Sequence, residues 1–240
     1  MSAAMSINVS NQNVDYFYSD WYDLNMDRYK QLSTMVATTL TYALDAEHIQ
    51  YVAVPHRFKQ KNSFLKKLLQ DNVQPQQMTD LAALRVVTLL DQDIEQVCQL
   101  IRKMFTVIDE KQIEYHIPQQ DDEQAVQANY PSIHFICELG ETRTILPEYA
   151  MYKGLRFEIQ VKTSLEHTYA EIEHGLVAHL GKRLPSHLKY RMKRLAQTLA
   201  QADLELNDIY QQINNYQKMM KNVRPTNELT VQKVVKLVKQ

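Results

Sequence analysis

Residues 156–174 read RFEIQVKTSLEHTYAEIEH, and within this stretch the hydrophobic period changes from that of a strand to that of a helix. Phe157, Ile159 and Val161 alternate with polar residues, so we expect their side chains to line one face of a strand. From Ser164 to Leu180 the pattern is helical. The polar face of the strand carries Arg156, Glu158, Gln160 and Lys162. Such a face is either an ordinary wet surface or the wall of a site.

The elements around this stretch predict an α+β protein. Strands are predicted over His48–Lys59, over the β-branched apolar run Leu84–Leu90, and over Val107–His116 and Ser132–Leu139. Helices are predicted over Val14–Glu47 with a break near Leu24, and over Asn62–Gln70, Asp91–Phe105, Ser186–Met220 and Asn227–Lys239. We therefore expect a mixed β-sheet of about five strands flanked by helices. The expected segments are a helical part (1–49), a sheet domain (50–185) and a helical C-terminal extension (186–240).

Composition excludes several classes of protein. With 45% hydrophobic and 23% charged residues in 240, the chain has the composition of a folded domain. Its four glycines do not form a P-loop or a dinucleotide-binding fingerprint. The N-terminus lacks the pattern of a signal peptide, and no apolar run approaches the roughly 20 residues of a membrane helix. Two cysteines, expected to be free, fit a reducing compartment, so we expect a cytoplasmic protein without membrane contact.

Charge is unevenly distributed along the chain. The net charge is −1, but residues 181–240 contain 12 Lys and Arg against 4 Asp and Glu. This basic third could bind nucleotide phosphates, RNA or an acidic partner, or it could be an ordinary solvated helix surface.

Four clusters carry possible chemistry. Three cations, Arg57, Lys59 and Lys61, precede a helix that Asn62 or Ser63 could cap. They could bind an anion at the helix N-terminus, but for this cluster taken alone a solvated basic turn is favoured. The other clusters are Asp80 with Arg85, which could form an internal salt bridge, Tyr130 at a loop edge, where an aromatic ring can stack on a base, and His167, Glu171 and His174 on one helix face. The last set could bind zinc, but no H-E-x-x-H or nearby cysteine supports this, and a polar cluster beside the sheet is favoured.

Taken in order, these segments resemble the synthetase domain of the RelA/SpoT family, in particular the small alarmone synthetases. RFKQKNS resembles R-x-K-x-x-x-S, and DLAALRVV resembles D-[IL]-x-G-x-R-[VI] with Ala83 in place of Gly. NYPSIHF resembles G-Y-[RK]-S-[IL]-H, and FEIQVKT…TYAEIEHGL resembles V-E-I-Q-[IV]-[RK]-T…W-A-x-[IL]-E-H. The resemblance covers roughly residues 50–200 and implies a nucleotidyltransferase-like fold for the domain at 50–185.

The resemblance also implies an activity, namely transfer of pyrophosphate from ATP to the 3′-hydroxyl of GTP or GDP with release of AMP. Asp80 and Glu158 would be catalytic and would hold Mg²⁺, with Glu158 also a candidate base. The implied ATP-binding residues are Arg57, Lys59, Lys61, Ser63 and Arg85. The implied acceptor-binding residues are Tyr130, His134, Gln160, Lys162, Glu173 and His174.

Departures from the family pattern lie on the acceptor side. Asn129 and Pro131 replace a glycine and a basic residue, Tyr169 replaces tryptophan, and Gly175 replaces an acidic residue. Two alternatives therefore stay open: a toxin that pyrophosphorylates the tRNA 3′ end and is controlled by an antitoxin, or a non-catalytic regulatory protein on the same fold. No histidine is followed by Asp, so we expect no hydrolase activity. The C-terminal helices could form a homo-oligomer or pack on the chain's own sheet.

Overall fold

In a computed structural model, the protein is described over residues 11–71, 73–114, 131–177 and 184–222. The helices are α1 (Asn11–Ala46), α2 (Lys61–Asp71), α3 (Ile94–Met104), α4 (Glu141–Thr144), α5 (Ser164–Val177) and α6 (Ser186–Asn222). The strands are β1 (Tyr51–Ala53), β2 (His56–Phe58), β3 (Ala82–Thr88), β4 (Thr106–Glu114), β5 (Pro131–Glu138) and β6 (Arg156–Thr163).

Six strands form one mixed sheet, so the prediction of a mixed sheet flanked by helices is confirmed. The order is β1-β3-β6-β5-β4, and β2 pairs with β3 beside β1. Strands β3 and β6 are parallel, and the other pairs are antiparallel. The stretch predicted as one strand over His48–Lys59 forms two short strands. The chain turns at Pro55, which cannot donate a ladder hydrogen bond but whose carbonyl accepts the Arg85 N–H at 2.9 Å.

One face of the sheet is the hydrophobic core. The alternation in β6 is confirmed, because Phe157, Ile159 and Val161 are each 0% exposed. Helix α3 packs on this face, and Phe105 at its end meets Phe157 edge to face with ring centroids 5.2 Å apart. Helix α1 contributes a row of buried side chains to the same core, namely Tyr22, Met26, Tyr29, Leu32, Val36, Leu40 and Leu44.

The opposite face of the sheet is polar, and α5 covers the ends of β3 and β6. Helix α6 packs on α5, where the Tyr169 hydroxyl donates to the Met192 carbonyl at 3.3 Å. The side chain of Thr163, at the end of β6, accepts the Glu166 N–H and donates to Asp203 of α6. These contacts fix α5 and α6 against the carboxyl ends of the two parallel strands.

Several local predictions are corrected. Helix α1 continues through Leu24 and Asn25, and the side-chain amide of Asn25 donates to the Trp21 carbonyl one turn earlier at 2.8 Å. Helix α2 begins at Lys61, so Asn62 and Ser63 lie inside its first turn and cannot be its N-cap.

The apolar stripe of α6 divides along the helix. In its first half, Leu188, Met192 and Leu199 are half-buried and Leu195 is exposed, and Leu206 in the second half is exposed. The stripe therefore packs only in part on the chain's own fold. The helix predicted over Asn227–Lys239 lies outside the described residues. Among the described helices, none combines the length and apolar character needed to cross a membrane.

Candidate functional site

Strand register collects most of the predicted site residues on the polar face of the sheet. Arg85 is opposite Gln160, Glu158 is opposite Ala83, and His134 is also opposite Gln160. Paired residues of neighbouring strands project to the same side, so these side chains share one face. Arg57 joins them from β2, where it pairs with Ala83.

Glu158 lies at the centre of this face. Its Oε1 is 2.8 Å from Nδ1 of His134 and accepts a hydrogen bond from Nε2 of Gln160 at 3.2 Å. The second ring nitrogen of His134 contacts the Ser132 hydroxyl at 2.9 Å, which fixes the ring between two partners. Burial raises the pKa of the Glu158 carboxyl, but the hydrogen bond and charge of His134 outweigh it and hold that pKa below its ordinary value. Glu158 is therefore an ionised, half-buried carboxylate at neutral pH.

We call the polar face of the sheet between β2 and α5 the cleft. A second carboxylate, Asp80, precedes β3 at the end of the cleft where Glu158 lies. Lys59 pairs with its Oδ2 at 2.5 Å, and Lys67 of α2 pairs with its Oδ1 at 3.3 Å. Burial raises the pKa of Asp80, but the hydrogen bond from Lys59 and the charges of both lysines bring that pKa below its ordinary value. The charge of Asp80 in turn acts on Glu158, so the two carboxylates are electrostatic neighbours.

Arg85 does not pair with Asp80, so the possible internal Asp80–Arg85 salt bridge is wrong. Its guanidinium instead contacts the Glu171 carboxylate of α5. The antiparallel pairing of β2 with β3 explains the difference, because the Lys59 N–H donates to the Leu81 carbonyl at 3.0 Å and this brings the Lys59 side chain beside Asp80.

An open cavity of about 50 Å³ lies on this face next to Gln160, the hydrogen-bond partner of Glu158. Arg57, Arg85, Gln160 and Pro55 are among its lining residues. Two guanidinium groups at one cavity with apolar walls suit a ligand that carries both phosphates and a flat ring.

Helix α5 places a second polar cluster over the end of the cleft. Glu171 lies within electrostatic range of Arg85, His167 and His174, which together hold its pKa below the ordinary value. Burial raises the pKa of Glu173, and His174 is exposed. In the described part of the chain, no three His, Cys, Asp or Glu side chains converge in a way that would hold a metal ion, so a zinc site at His167, Glu171 and His174 receives no support.

Some predicted residues are not brought to the cleft. Lys61 pairs with Asp23 of α1 at 2.6 Å, and Ser63 is exposed on α2. The side chain of Lys162 is 2% exposed, and its Nζ is 3.8 Å from the carboxylate of Glu166, which belongs to α5. This burial argues against the acceptor-binding role expected for Lys162. Tyr130 lies outside the described residues, so its role stays a prediction.

The structure adds two residues that the sequence motifs did not identify. Lys67 of α2 contacts Asp80. Lys67 follows Ser63 by four residues and therefore lies on the same helix face, and this spacing could have indicated Lys67 from the sequence. Glu171 was placed on a helix face with two histidines, but its partner Arg85 is 86 residues away in sequence, and spacing alone cannot reveal such a pair.

The donor set suits Mg²⁺ better than zinc. Asp80 and Glu158 are hard oxygen ligands, both ionised, and Mg²⁺ in phosphate-transfer sites is typically held by one or two carboxylates together with substrate phosphates. The amine and imidazole groups that contact the two carboxylates would have to share them with the ion.

Comparisons with known proteins identify relatives of this chain in sequence and in fold. A curated relative, GTP pyrophosphokinase YjbM of Bacillus subtilis (strain 168), is 26% identical over 181 residues, which are 73% of this chain and 80% of the relative. The crystal structure of small alarmone synthetase 1 from Bacillus subtilis has a TM-score of 0.67 at 23% identity and covers 82% of this chain and 99% of its own. Structures of that synthetase with its product pppGpp and with AMPCPP each have a TM-score of 0.62, at 23% and 21% identity, and cover 77% and 81% of this chain and 94% and 98% of their own.

The family is shown by a match to most of the sheet domain. A family model described as "Region found in RelA / SpoT proteins" matches residues 56–180. This range contains Asp80 and Glu158, the guanidinium groups of Arg57 and Arg85, and the β6–α5 stretch. The resemblance seen in the sequence is therefore confirmed, and the chain belongs to the RelA/SpoT family.

Proposed function

We propose that this protein is a small alarmone synthetase, an ATP-dependent pyrophosphotransferase that makes ppGpp or pppGpp from GDP or GTP and releases AMP. The observation that carries the proposal is the pair of ionised carboxylates, Asp80 and Glu158, on a sheet face that also holds Arg57, Lys59 and Arg85. Transfer of a phosphate group from ATP requires alignment and charge neutralisation rather than a covalent nucleophile, and this face can supply both.

In this proposal the cationic side chains bind the donor. Arg57 and Arg85 line the cavity and would bind ATP phosphates or stack on adenine, and Lys59 would reach the phosphates from its position at Asp80. Lys61 would bind the ATP phosphates only after its ion pair with Asp23 is broken. Ser63 would bind them from the exposed surface of α2. Bound Mg²⁺, held by Asp80 and Glu158, would supply neutralisation of the charge that develops on the phosphates.

Glu158 has a second proposed role as the base for the acceptor hydroxyl. Its contact with His134 holds the carboxylate in one orientation and in the ionised form, which a proton acceptor requires. Gln160, His134, Glu173 and His174 would line the acceptor side, and Tyr130 would stack on the acceptor base. The deep burial of Lys162 leaves it to support β6 and α5 instead.

A second candidate acceptor is the 3′ end of tRNA, in a toxin controlled by an antitoxin. The sequence favours it in two places, since Pro131 replaces a basic residue beside Tyr130 and residues 181–240 are strongly basic. A third possibility, a non-catalytic regulatory protein, is compatible with the internal pairing of Asp80, Arg85 and Glu158 with their protein partners.

One experiment separates these functions. The protein is incubated with Mg²⁺ and ATP labelled in the γ-phosphate, in parallel tubes that contain GDP, GTP or deacylated tRNA. We expect label on the guanosine nucleotides. Label on tRNA alone would replace the proposal with the toxin function, and no transfer in any tube would favour the non-catalytic protein. Glu158→Gln, which keeps the shape of the side chain and removes its charge, is the matched inactive control.

The setting of the enzyme is also a proposal. We place it in the cytoplasm, because Cys98 and Cys137 are buried free thiols, as expected in a reducing compartment. We propose a homo-oligomer through α6, whose second half exposes Leu204, Ile213 and Met219. Synthesis without hydrolysis rests on the sequence, in which none of the eight histidines precedes an Asp.

A further inference from the structure

The contact between Arg85 and Glu171 joins the sheet face to α5 at the variable position x of the quoted motif W-A-x-[IL]-E-H. Arg85 lies in β3 with 22% of its side chain exposed, and Glu171 lies on α5 with 53% exposed. Since Glu171 is on the helix surface, its carboxylate can move into solvent without opening the core. The ion pair is therefore one that can be broken while the fold stays intact.

Arg85 is at the same time part of the proposed ATP site. It lines the cavity together with Arg57 and Gln160, and no carboxylate is among the lining residues. A guanidinium group binds carboxylate and phosphate through the same N–H groups, so an N–H that contacts Glu171 is not available to a phosphate.

Glu171 also sets the local charge. Lys162 and His167 both lie within electrostatic range of Arg85 and Glu171, and Arg85 lowers the pKa of each. Glu171 acts in the opposite direction on both groups. Without its carboxylate, the end of the cleft that faces α5 would be more positive and would attract polyphosphate more strongly.

We propose, building on the pyrophosphate-transfer function above, that Glu171 is a positioning residue that neutralises Arg85 in the free protein and competes with the phosphates of ATP for its guanidinium. ATP binding breaks the Arg85–Glu171 contact. Part of the binding free energy is used for this step, so Glu171 lowers the affinity for ATP and leaves the affinity for the acceptor unchanged. An ion pair of this exposure changes an equilibrium by about 1.5- to 5-fold.

The test compares wild type with Glu171→Gln by calorimetric titration with AMPCPP and Mg²⁺. We expect the Kd for AMPCPP to fall by about 1.5- to 5-fold in the variant, the KM for ATP to fall by a similar factor, and the KM for GDP to stay the same. Glu47→Gln is the matched control, because Glu47 is half-exposed, pairs with Lys103 at 3.2 Å and lies near α3 on the other side of the sheet. It should bind AMPCPP like the wild type.

A second pair of variants tests whether the effect passes through Arg85. In an Arg85→Gln background, adding Glu171→Gln should leave the Kd for AMPCPP unchanged. Equal or weaker binding by the single Glu171→Gln variant would overturn the inference, as would an equal gain in the Arg85→Gln background. A wild type that binds AMPCPP but transfers no pyrophosphate would refute the proposed function while the Kd values still decide the role of Glu171. No binding of AMPCPP by any variant would refute both.

Discussion

Thr163, at the end of β6, connects the sheet to α5 and α6 through a single hydroxyl group. Its Oγ1 accepts the backbone N–H of Glu166 at 3.1 Å, which caps the first turn of α5, and it donates to Oδ2 of Asp203 in α6 at 2.6 Å. Thr163 is 2% exposed and Asp203 is 4% exposed. We predict that Thr163→Val, which keeps the shape and removes the hydroxyl, destabilises the protein far more than Thr163→Ser.

The magnitude follows from the two bonds. Loss of a helix N-cap costs about 0.5–2 kcal/mol, and loss of a hydrogen bond to a charged group costs about 1.5–3 kcal/mol. Because one hydroxyl makes both bonds, we expect roughly 2–4 kcal/mol for Thr163→Val rather than the full sum. Thr163→Ser keeps the oxygen and removes one methyl group, which costs about 1 kcal/mol.

Urea denaturation of wild type and both variants, followed by circular dichroism, measures these differences in unfolding free energy. A Thr163→Val variant with an unfolding free energy within about 1 kcal/mol of wild type would show that the two hydrogen bonds contribute little to stability. Equal destabilisation by Val and Ser would also contradict the prediction, because the methyl group rather than the hydroxyl would then be the important part of the side chain.

Further predictions concern the site and the core. Removing the partner of Glu158 with His134→Ala should leave burial as the largest influence on that carboxyl and raise its pKa, so the acid limb of the kcat/KM profile should move to higher pH; an unmoved limb would show that His134 does not control Glu158. Tyr169→Phe should lower the unfolding free energy by about 1 kcal/mol, measured by thermal denaturation, since it loses the hydroxyl bond to α6, and an unchanged midpoint would argue against that bond. Burial raises the pKa of Cys98 and Cys137 to about 12, so neither thiol should react with Ellman's reagent at pH 8 until urea is added; rapid reaction of the native protein would contradict their burial.

The architecture was predictable because hydrophobic period reports which face of an element is buried. The alternation of Phe157, Ile159 and Val161 and the apolar run of β3 each identified a strand correctly. The same alternation placed Lys162 on the polar side, which is also correct, but period does not reveal what covers a face. Helix α5 lies over that end of β6, and Lys162 is buried against Glu166 as a result.

The pairing of charges was less predictable, because it depends on strand order. Asp80 and Arg85 are close in sequence, which favoured an internal bridge, yet β2 carries Lys59 to Asp80 and α5 carries Glu171 to Arg85. Both partners arrive through tertiary pairing over 21 and 86 residues. Motif order could therefore identify the residue types at the site, whereas the contacts between them required the fold.

Transfer of an intact pyrophosphate group at the two carboxylates can be measured from the products of a single turnover. Enzyme in excess is mixed with GDP, Mg²⁺ and ATP carrying distinguishable labels in the α- and γ-phosphates. We predict that the γ-label appears in a guanosine product and the α-label in AMP, in equal amounts, and that Glu158→Gln forms neither. Formation of ADP, or of AMP without a labelled guanosine product, would show that the protein does not transfer pyrophosphate to the nucleotide.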